Sequence, residues 1–398
     1  MKYDFSRVPD ITGIGIKDEW RMPENAKANY KEEYFSGANM RFPLAPELAR
    51  ALAERAAKPF DYIGADARYY AAVTGWLRER RRWEVRQEAI LPFYGILQAV
   101  MTSALALLQP GERIIVFPSS YSNYMLREAA ARAGFGFEEV ELLRGEDGGY
   151  RLDLAAAERA MALPDTKMLI LVNPDNPTGT VWTREELVRL AELANRHGVI
   201  IFSDEMFGEV VMGGQRVTPM SRADCGIEQA VVCTSPSKAF NLVGTVHSNL
   251  IIENPELMTQ MKAYISRTFL RDMDPFMYTA TVTAYTECGG WLDSAMAYCG
   301  ANARRLEAFL RKHLSQVRMS PIAATYMAWI DWNGLLHGED ELRTFLEDEA
   351  HVYVDYGSMY GRSASGFTRF NAALPADVLE RALSRISAAA KARGIYRE

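Results

Sequence analysis

Cysteine is scarce in this chain of 398 residues: four in all, Cys225, Cys233, Cys288 and Cys299, with no Cys-x-x-Cys spacing among them. That excludes a disulfide framework and leaves free thiols as the expected state. Histidine is almost as thin. The five are scattered and no two stand at helical spacing, so a zinc site has no support and no metal is expected. Long apolar runs are missing as well, the longest being stretches such as Met168 to Val172. A bilayer-crossing helix needs roughly 18 to 20 apolar residues, so no membrane partner is expected. The opening Met1-Lys2-Tyr3-Asp4-Phe5-Ser6-Arg7 lacks the apolar core and small-residue cleavage site of a secretion signal, and a cytoplasmic location is the expectation. Neither sign of charge dominates. With 45 basic against 51 acidic residues and a net charge of -6, there is no general electrostatic reason to bind nucleic acid. A small-molecule partner is the better starting point.

What is present is an ordinary globular composition, 48% apolar and 24% charged, in a chain too long for one compact core and suited to two coupled lobes. Residues 44 to 58 carry apolar side chains at three- and four-residue spacing and read as an amphipathic helix. From there to about residue 250, short β-rich runs alternate with longer helical ones. That is the pattern of a mostly parallel sheet with helices on its faces, an α/β fold. The clearest strands are 113–117, 168–172, 199–203, 230–234 and 249–252, with a helix over 184–197. After Leu257 the pattern turns helical to about residue 316. A smaller α+β lobe follows, with strand-like runs at 326–330 and 352–354 and a terminal helix over 376–393. The expected division is an N-terminal segment 1–45 attached to the small domain, a large domain 46–285 and a small C-terminal domain 286–398.

In open α/β sheets ligands bind outside the carboxyl ends of the strands, so the residues after each strand come first. The 168–172 strand runs into Asn173-Pro174-Asp175-Asn176-Pro177-Thr178-Gly179, where two prolines and a glycine fix an extended loop from which Asn amides can point inward. The 199–203 strand ends in Asp204-Glu205. A carboxylate there is costly to desolvate unless a cation or several donors meet it, though it can also simply cap the next helix. The third strand leads into Ser235-Pro236-Ser237-Lys238, placing a lysine where its pKa is open to depression and its amine to covalent work. One cofactor matches the set. Pyridoxal phosphate needs a lysine for its Schiff base, an anion for its ring nitrogen and a donor to its ring hydroxyl, and Lys238, Asp204 and Asn176 are those types. For the phosphate, the Tyr94-Gly95-Ile96 turn offers amides at a helix start, and Ser235 offers a hydroxyl.

These motifs resemble the fold-type I pyridoxal-phosphate enzymes, and within them the MalY/PatB-type cysteine-S-conjugate β-lyases, annotated near the class I/II aminotransferases. Further likeness lies in Tyr3 to Val8, Trp291-Leu292-Asp293, Thr325 to Trp329 and Gly366 to Pro375, so it spans nearly the whole chain. The resemblance implies an aspartate aminotransferase-like large domain with a seven-stranded-type sheet. It makes Lys238 the lysine that bears the cofactor and carries the proton, Asp204 the partner of the ring nitrogen, and Asn176 the donor to the ring hydroxyl. Tyr121 would stack on the cofactor ring, and Tyr62 would reach the phosphate of the neighbouring subunit in a homodimer. Arg369 would clamp the substrate carboxylate, a role suited to a bidentate guanidinium. Three departures stand out. Phe207 replaces a Tyr or His and cannot donate to the ring hydroxyl. Asn39-Met40-Arg41-Phe42 replaces Asp-Met-Asp-Phe near the substrate entrance, where Arg41 either favours an acidic side chain or is a surface arginine. Thr245-Val246-His247 lacks the arginine that many aminotransferases use on the phosphate. The expected reaction is a β-lyase acting on a cysteine S-conjugate. The alternatives are transamination, a specialised decarboxylation or oxidative deamination, and a binding protein without turnover.

Overall fold

The computed structural model describes residues 3–10, 13–14, 21–118, 121–270 and 273–398; the side chains of residues 32 and 121–125 lie outside the description. Its centre is a seven-stranded sheet of β1 (Ile90–Tyr94), β2 (Arg113–Val116), β3 (Gly136–Glu139), β4 (Thr166–Val172), β5 (Ile200–Asp204), β6 (Ala230–Thr234) and β7 (His247–Ile251), in the spatial order β1-β7-β6-β5-β4-β2-β3. Strands β2 to β6 pair in parallel, and β7 runs antiparallel to both of its neighbours. This is the mostly parallel sheet expected from the alternating pattern.

The strands read as unbroken apolar runs because both faces are covered. One face sends Leu169, Leu171, Ile201 and Val232 into a core shared with helices α1 (Pro46–Ala56), α2 (Ala67–Trp76), α5 (Leu154–Met161), α6 (Arg184–His197) and α8 (Pro275–Glu287). The opposite face sends Met168, Ile170, Phe202 and Val231 against α3 (Ile96–Leu107), α4 (Tyr121–Arg132) and α7 (Pro255–Thr268). Helix α6 shows how local signals set its ends. Thr183 and Glu186 form a reciprocal capping box at the start, and Gly198 closes the helix at φ 65°. Strand β3 was not legible in advance: Gly-Phe-Glu-Glu at the sheet edge lacks the apolar run that marks the central strands.

A second, four-stranded antiparallel sheet joins β8 (Arg318–Met319), β9 (Met327–Asp331), β10 (Asp355–Tyr356) and β11 (Phe367–Asn371) in the order β8-β9-β11-β10. Val352, Val354 and Phe370 pack there against Leu379, Leu383 and Ile386 of α10 (Ala376–Ala392). The strand-like run 352–354 is therefore core, but its regular pairing begins only at Asp355. Helix α9 (Gly289–His313) belongs to both cores, with Trp291 and Leu292 in the first and Leu306 and Leu310 in the second. The N-terminal segment is shared likewise: Phe35 joins the small core, whereas Phe5, Met40 and Phe42 join the large one. Among the described residues no helix is long and apolar enough to cross a membrane.

Candidate active site

Parallel pairing puts three chemistry-bearing turns side by side. Val172 is in register with Asp204, and Asp204 with Cys233, so the Asn173–Gly179 loop, the Asp204 carboxylate and the Ser235–Lys238 turn leave the same sheet edge together. Main-chain bonds hold that edge, from Asn173 N to Asp204 O (2.8 Å) and from Glu205 N to Cys233 O (2.9 Å).

Lys238 is half-buried, and its Nζ donates to the Ala38 carbonyl at 2.9 Å. Burial, reinforced by the Arg369 charge and opposed by Asp204, pushes its pKa down to about 8. Asp204 is 7% exposed, and its one side-chain hydrogen bond from the described residues comes from the Met206 amide at 3.2 Å. Burial pushes this carboxyl up to about 7, more than the Met206 amide and Lys238 offset. A carboxylate so placed is short of a cationic donor, which is what a protonated pyridine nitrogen is; the residues fit pyridoxal phosphate on this physical ground. Asn176 is buried, and its Oδ1 accepts from Arg369 Nη1 at 3.0 Å. Because arginine only donates, that bond fixes the amide orientation and leaves the Asn176 NH2 as a donor elsewhere.

The remaining sequence candidates sit as follows. Gly95 caps α3, whose first residue is Ile96, so both amides lie at a helix N-terminus. A Cβ on Gly95 would come within 3.2 Å of Val246 Cγ1, so the turn leaves little room for a side chain. Val246 itself holds φ 48°, a strained conformation for a β-branched residue. Ser235 Oγ donates to His247 O at 2.6 Å and accepts from Ser237 N at 3.0 Å, so its proton is engaged within the turn. Ser237 Oγ is the buried hydroxyl there with no partner among the described residues. Tyr62 stands on the outside of the subunit, 84% exposed. Tyr121 opens α4, and its side chain is outside the described residues. The Asn39 carbonyl accepts from Asn371 Nδ2 at 2.8 Å. Arg41 is not a surface arginine: it is buried, with its guanidinium 5.5 Å from the Tyr34 ring centroid. Phe207 faces the site, its ring centroid 5.8 Å from Lys238 Nζ and edge-on to Tyr326. Tyr326 OH donates to the same Ala38 carbonyl at 3.1 Å.

Two features escaped the sequence reading. One is Asp355, which grips Arg369 through its Nε and Nη2 at 3.0 and 2.5 Å. Its signal was the one that singled out Asp204: a carboxylate closing an apolar run, here Val352-Tyr353-Val354. The other is Arg81, paired with Glu205 where both are fully buried. A helical run of arginines gives no hint that one of them turns inward. Among the described residues no group of three or more His, Cys, Asp or Glu is placed to hold a metal.

Residues 38–386 match the profile of the family Aminotransferase class I and II. The chain is 32% identical over 354 residues to cystathionine β-lyase PatB of Bacillus subtilis, covering 88% of this chain and 91% of that protein. It is 27% identical over 397 residues to protein MalY of Escherichia coli, covering 98% and 99%. Among solved structures, cystalysin from Treponema denticola, which contains pyridoxal 5'-phosphate, superposes with a TM-score of 0.92 at 26% identity, covering 99% of this chain and all of that one.

Proposed function

The chain belongs to the family of class I and II aminotransferases, and on that premise we propose that it is a pyridoxal-phosphate lyase cleaving a cysteine S-conjugate to a thiol, pyruvate and ammonia. The observation that carries this reading is the convergence of Lys238, Asp204 and Asn176 at three adjoining strand ends, in a chain whose relatives over most of its length are named β-lyases. When bound, the cofactor supplies the electron sink that stabilises negative charge at the substrate Cα. The protein supplies position and proton transfer.

Lys238 would hold the cofactor through Nζ, and with a pKa near 8 an appreciable fraction of the free amine is neutral and able to act as nucleophile and then as base for the Cα proton. Asp204 would pair with the ring nitrogen, a cation that favours the charged form of its carboxyl. The Asn176 NH2 would donate to the ring hydroxyl; the stacking role that the resemblance gives Tyr121 falls on a side chain outside the described residues. The Gly95 and Ile96 amides would receive the phosphate, Ser235 Oγ would join them only by releasing the His247 carbonyl, and in a homodimer Tyr62 would complete that cradle for the neighbouring subunit. Arg369 clamps the substrate α-carboxylate. Asn39 and the buried Arg41, whose guanidinium lies 5.5 Å from the Tyr34 ring centroid, belong to the same proposal as residues beside the substrate. A cytoplasmic location belongs to the same proposal.

The test uses purified holoenzyme. Borohydride should fix the visible absorbance band to Lys238, and the Lys238→Ala variant should lose that fixation. L-Cystathionine should then yield thiol and pyruvate in equal amounts with the original spectrum regained. A keto acid keeping the whole side chain, formed with the amine form of the cofactor, would make the enzyme an aminotransferase instead.

A further inference from the structure

The four-stranded small sheet turns only one of its faces into its own core. In antiparallel strands, residues directly opposite each other point to the same side. Trp329 of β9 is opposite Arg369 of β11, Asp331 is opposite Phe367, and Asp355 of β10 is opposite Arg369. These side chains share one face, whereas Ala328, Ile330 and Phe370 turn the other way into the core with α10. The shared face is met by a distant part of the chain. Between β3 and α5, Leu143–Arg144 pairs with Tyr150–Arg151 in a two-stranded hairpin. Tyr150 OH accepts from Trp329 Nε1 at 3.2 Å. Arg144 Nη1 donates to Asp331 Oδ2 at 2.6 Å, and its guanidinium lies 5.0 Å from the Phe367 ring centroid. Trp329 stacks on Phe367 at 5.1 Å and stands edge-on to Tyr360 at 5.5 Å. The Tyr360 ring centroid is in turn 5.2 Å from the Arg369 guanidinium. The hairpin thus grips the residue across from Arg369 and the residue two places before it, and an aromatic layer fills the space up to the guanidinium.

We propose that the 143–151 hairpin, through Tyr150 and Arg144, is the positioning element of the substrate-carboxylate clamp: it holds the β9–β11 face so that the Arg369 fork stays aimed at the ligand. The inference rests on the reading of Arg369 as the α-carboxylate clamp of a pyridoxal-phosphate site. Asp355 and Asn176 fix the guanidinium from within the site. The hairpin fixes the strands that carry it from outside. Trp329 is 1% exposed, so its indole N–H needs an acceptor, and Tyr150 is that acceptor. The partly exposed Arg144–Asp331 pair adds little to stability by itself, and its contribution is one of aim. A bidentate ion pair needs two N–H groups to meet two oxygens, so a tilt of β11 by about 1 Å costs affinity for a carboxylate and not for the rest of the ligand.

The experiment uses holoenzyme and two amines of the same shape that carry no α-proton: 2-methylalanine, and tert-butylamine, which has a methyl group in place of the carboxylate. Each is titrated while the cofactor absorbance is followed. The wild-type protein should prefer 2-methylalanine by at least about tenfold. Tyr150→Phe removes the acceptor of the Trp329 N–H and should weaken 2-methylalanine about three- to tenfold, with tert-butylamine and the uptake of pyridoxal phosphate unchanged. Arg144→Met, at the partly exposed pair, should show the same selective loss and carries the test should Tyr150→Phe fail to fold. Equal losses for both amines, or no loss for 2-methylalanine, overturn the proposal and leave the hairpin a structural brace. Two other results fall on the underlying reading and take the inference with it: a missing absorbance band would remove the cofactor from Lys238, and a wild-type protein without preference for 2-methylalanine would remove the clamp role from Arg369.

Discussion

Two buried arginine–carboxylate pairs lie on opposite flanks of the Asn173–Gly179 loop, and the loop sends one asparagine to each. Asn173 Nδ2 donates to Glu205 Oε1 at 3.3 Å, on the side of Arg81, and Asn176 Oδ1 accepts from Arg369 at 3.0 Å, on the side of Asp355. The Arg81–Glu205 pair is sealed. Glu205 also accepts from Ser203 Oγ (2.8 Å) and the Met220 amide (2.9 Å), and the Arg81 guanidinium lies so close to Gly208 that a Cβ there would come within 2.9 Å of Nη1. The Arg369–Asp355 pair joins two strands of the small sheet to Ser36 and Gly37, next to Ala38, whose carbonyl meets Lys238 Nζ. A sealed ion pair can only brace the fold, because no ligand reaches it. A pair with one flank on the cofactor residues has its charge counted in every binding event. The contrast also explains the neighbours: Glu209, a third carboxylate, is tolerated beside Arg81, where burial pushes it up to about 7 and Arg81 only partly offsets this.

The largest effect should come from removing the sealed cation. Arg81→Met leaves Glu205 and Glu209 buried without a counter-charge, and urea unfolding should show a loss of about 3–5 kcal/mol. Substrate affinity of the fraction that still folds should change little. The opposite signature is expected at the other pair. Arg369→Lys keeps a cation for Asp355 but loses the planar fork, so kcat/KM should fall about a hundredfold, close to 3 kcal/mol of transition-state binding, with a stability change of about 1 kcal/mol. If both variants lost stability alone, the two pairs would be equivalent and the contrast would fail.

A pH series sharpens it further. Glu209 keeps its proton in the folded chain up to about pH 7, whereas an ordinary glutamate gives it up near 4.5. At this group the folded state thus binds more protons across that window, so the Glu209 contribution to stability should fall as pH rises from about 4.5 to 7, by roughly 1–3 kcal/mol, against the opposite contribution of His247, whose pKa burial pushes down to about 4. Glu209→Gln should flatten the fall in unfolding measured on holoenzyme, where the cofactor already answers Asp204. The smallest effect is expected at Phe207, which sits between Glu205 and Glu209 in sequence but faces Lys238. Phe207→Tyr supplies the missing donor to the ring hydroxyl and should lower the pH midpoint of the cofactor absorbance by about 1 unit or less, with stability unchanged.

Much of this was legible residue by residue. Each central strand announced itself by an apolar run, because both of its faces are buried, and Lys238, Asp204 and Asn176 were exposed as candidates by standing where such runs stop. Helix α6 carried its own start and stop in Thr183, Glu186 and Gly198. The edge strand β3 and the short β10 were not legible, since a strand with one neighbour or two residues leaves no periodic trace. Tyr62, expected to reach a neighbouring subunit, is 84% exposed, whereas Arg41, left open between the entrance and the surface, is buried, a difference that burial decides and spacing does not.

By itself the sequence determined the parallel sheet and the cofactor chemistry, because these follow from local apolar pattern and from side chains fixed at strand ends. Only the tertiary structure decided which acid meets which arginine. Ser36 and Asp355 are 319 positions apart, and Arg81 and Glu205 are 124. A charge placed in low dielectric is set by whatever the fold brings within a few ångströms of it, and no run of residues records that distance.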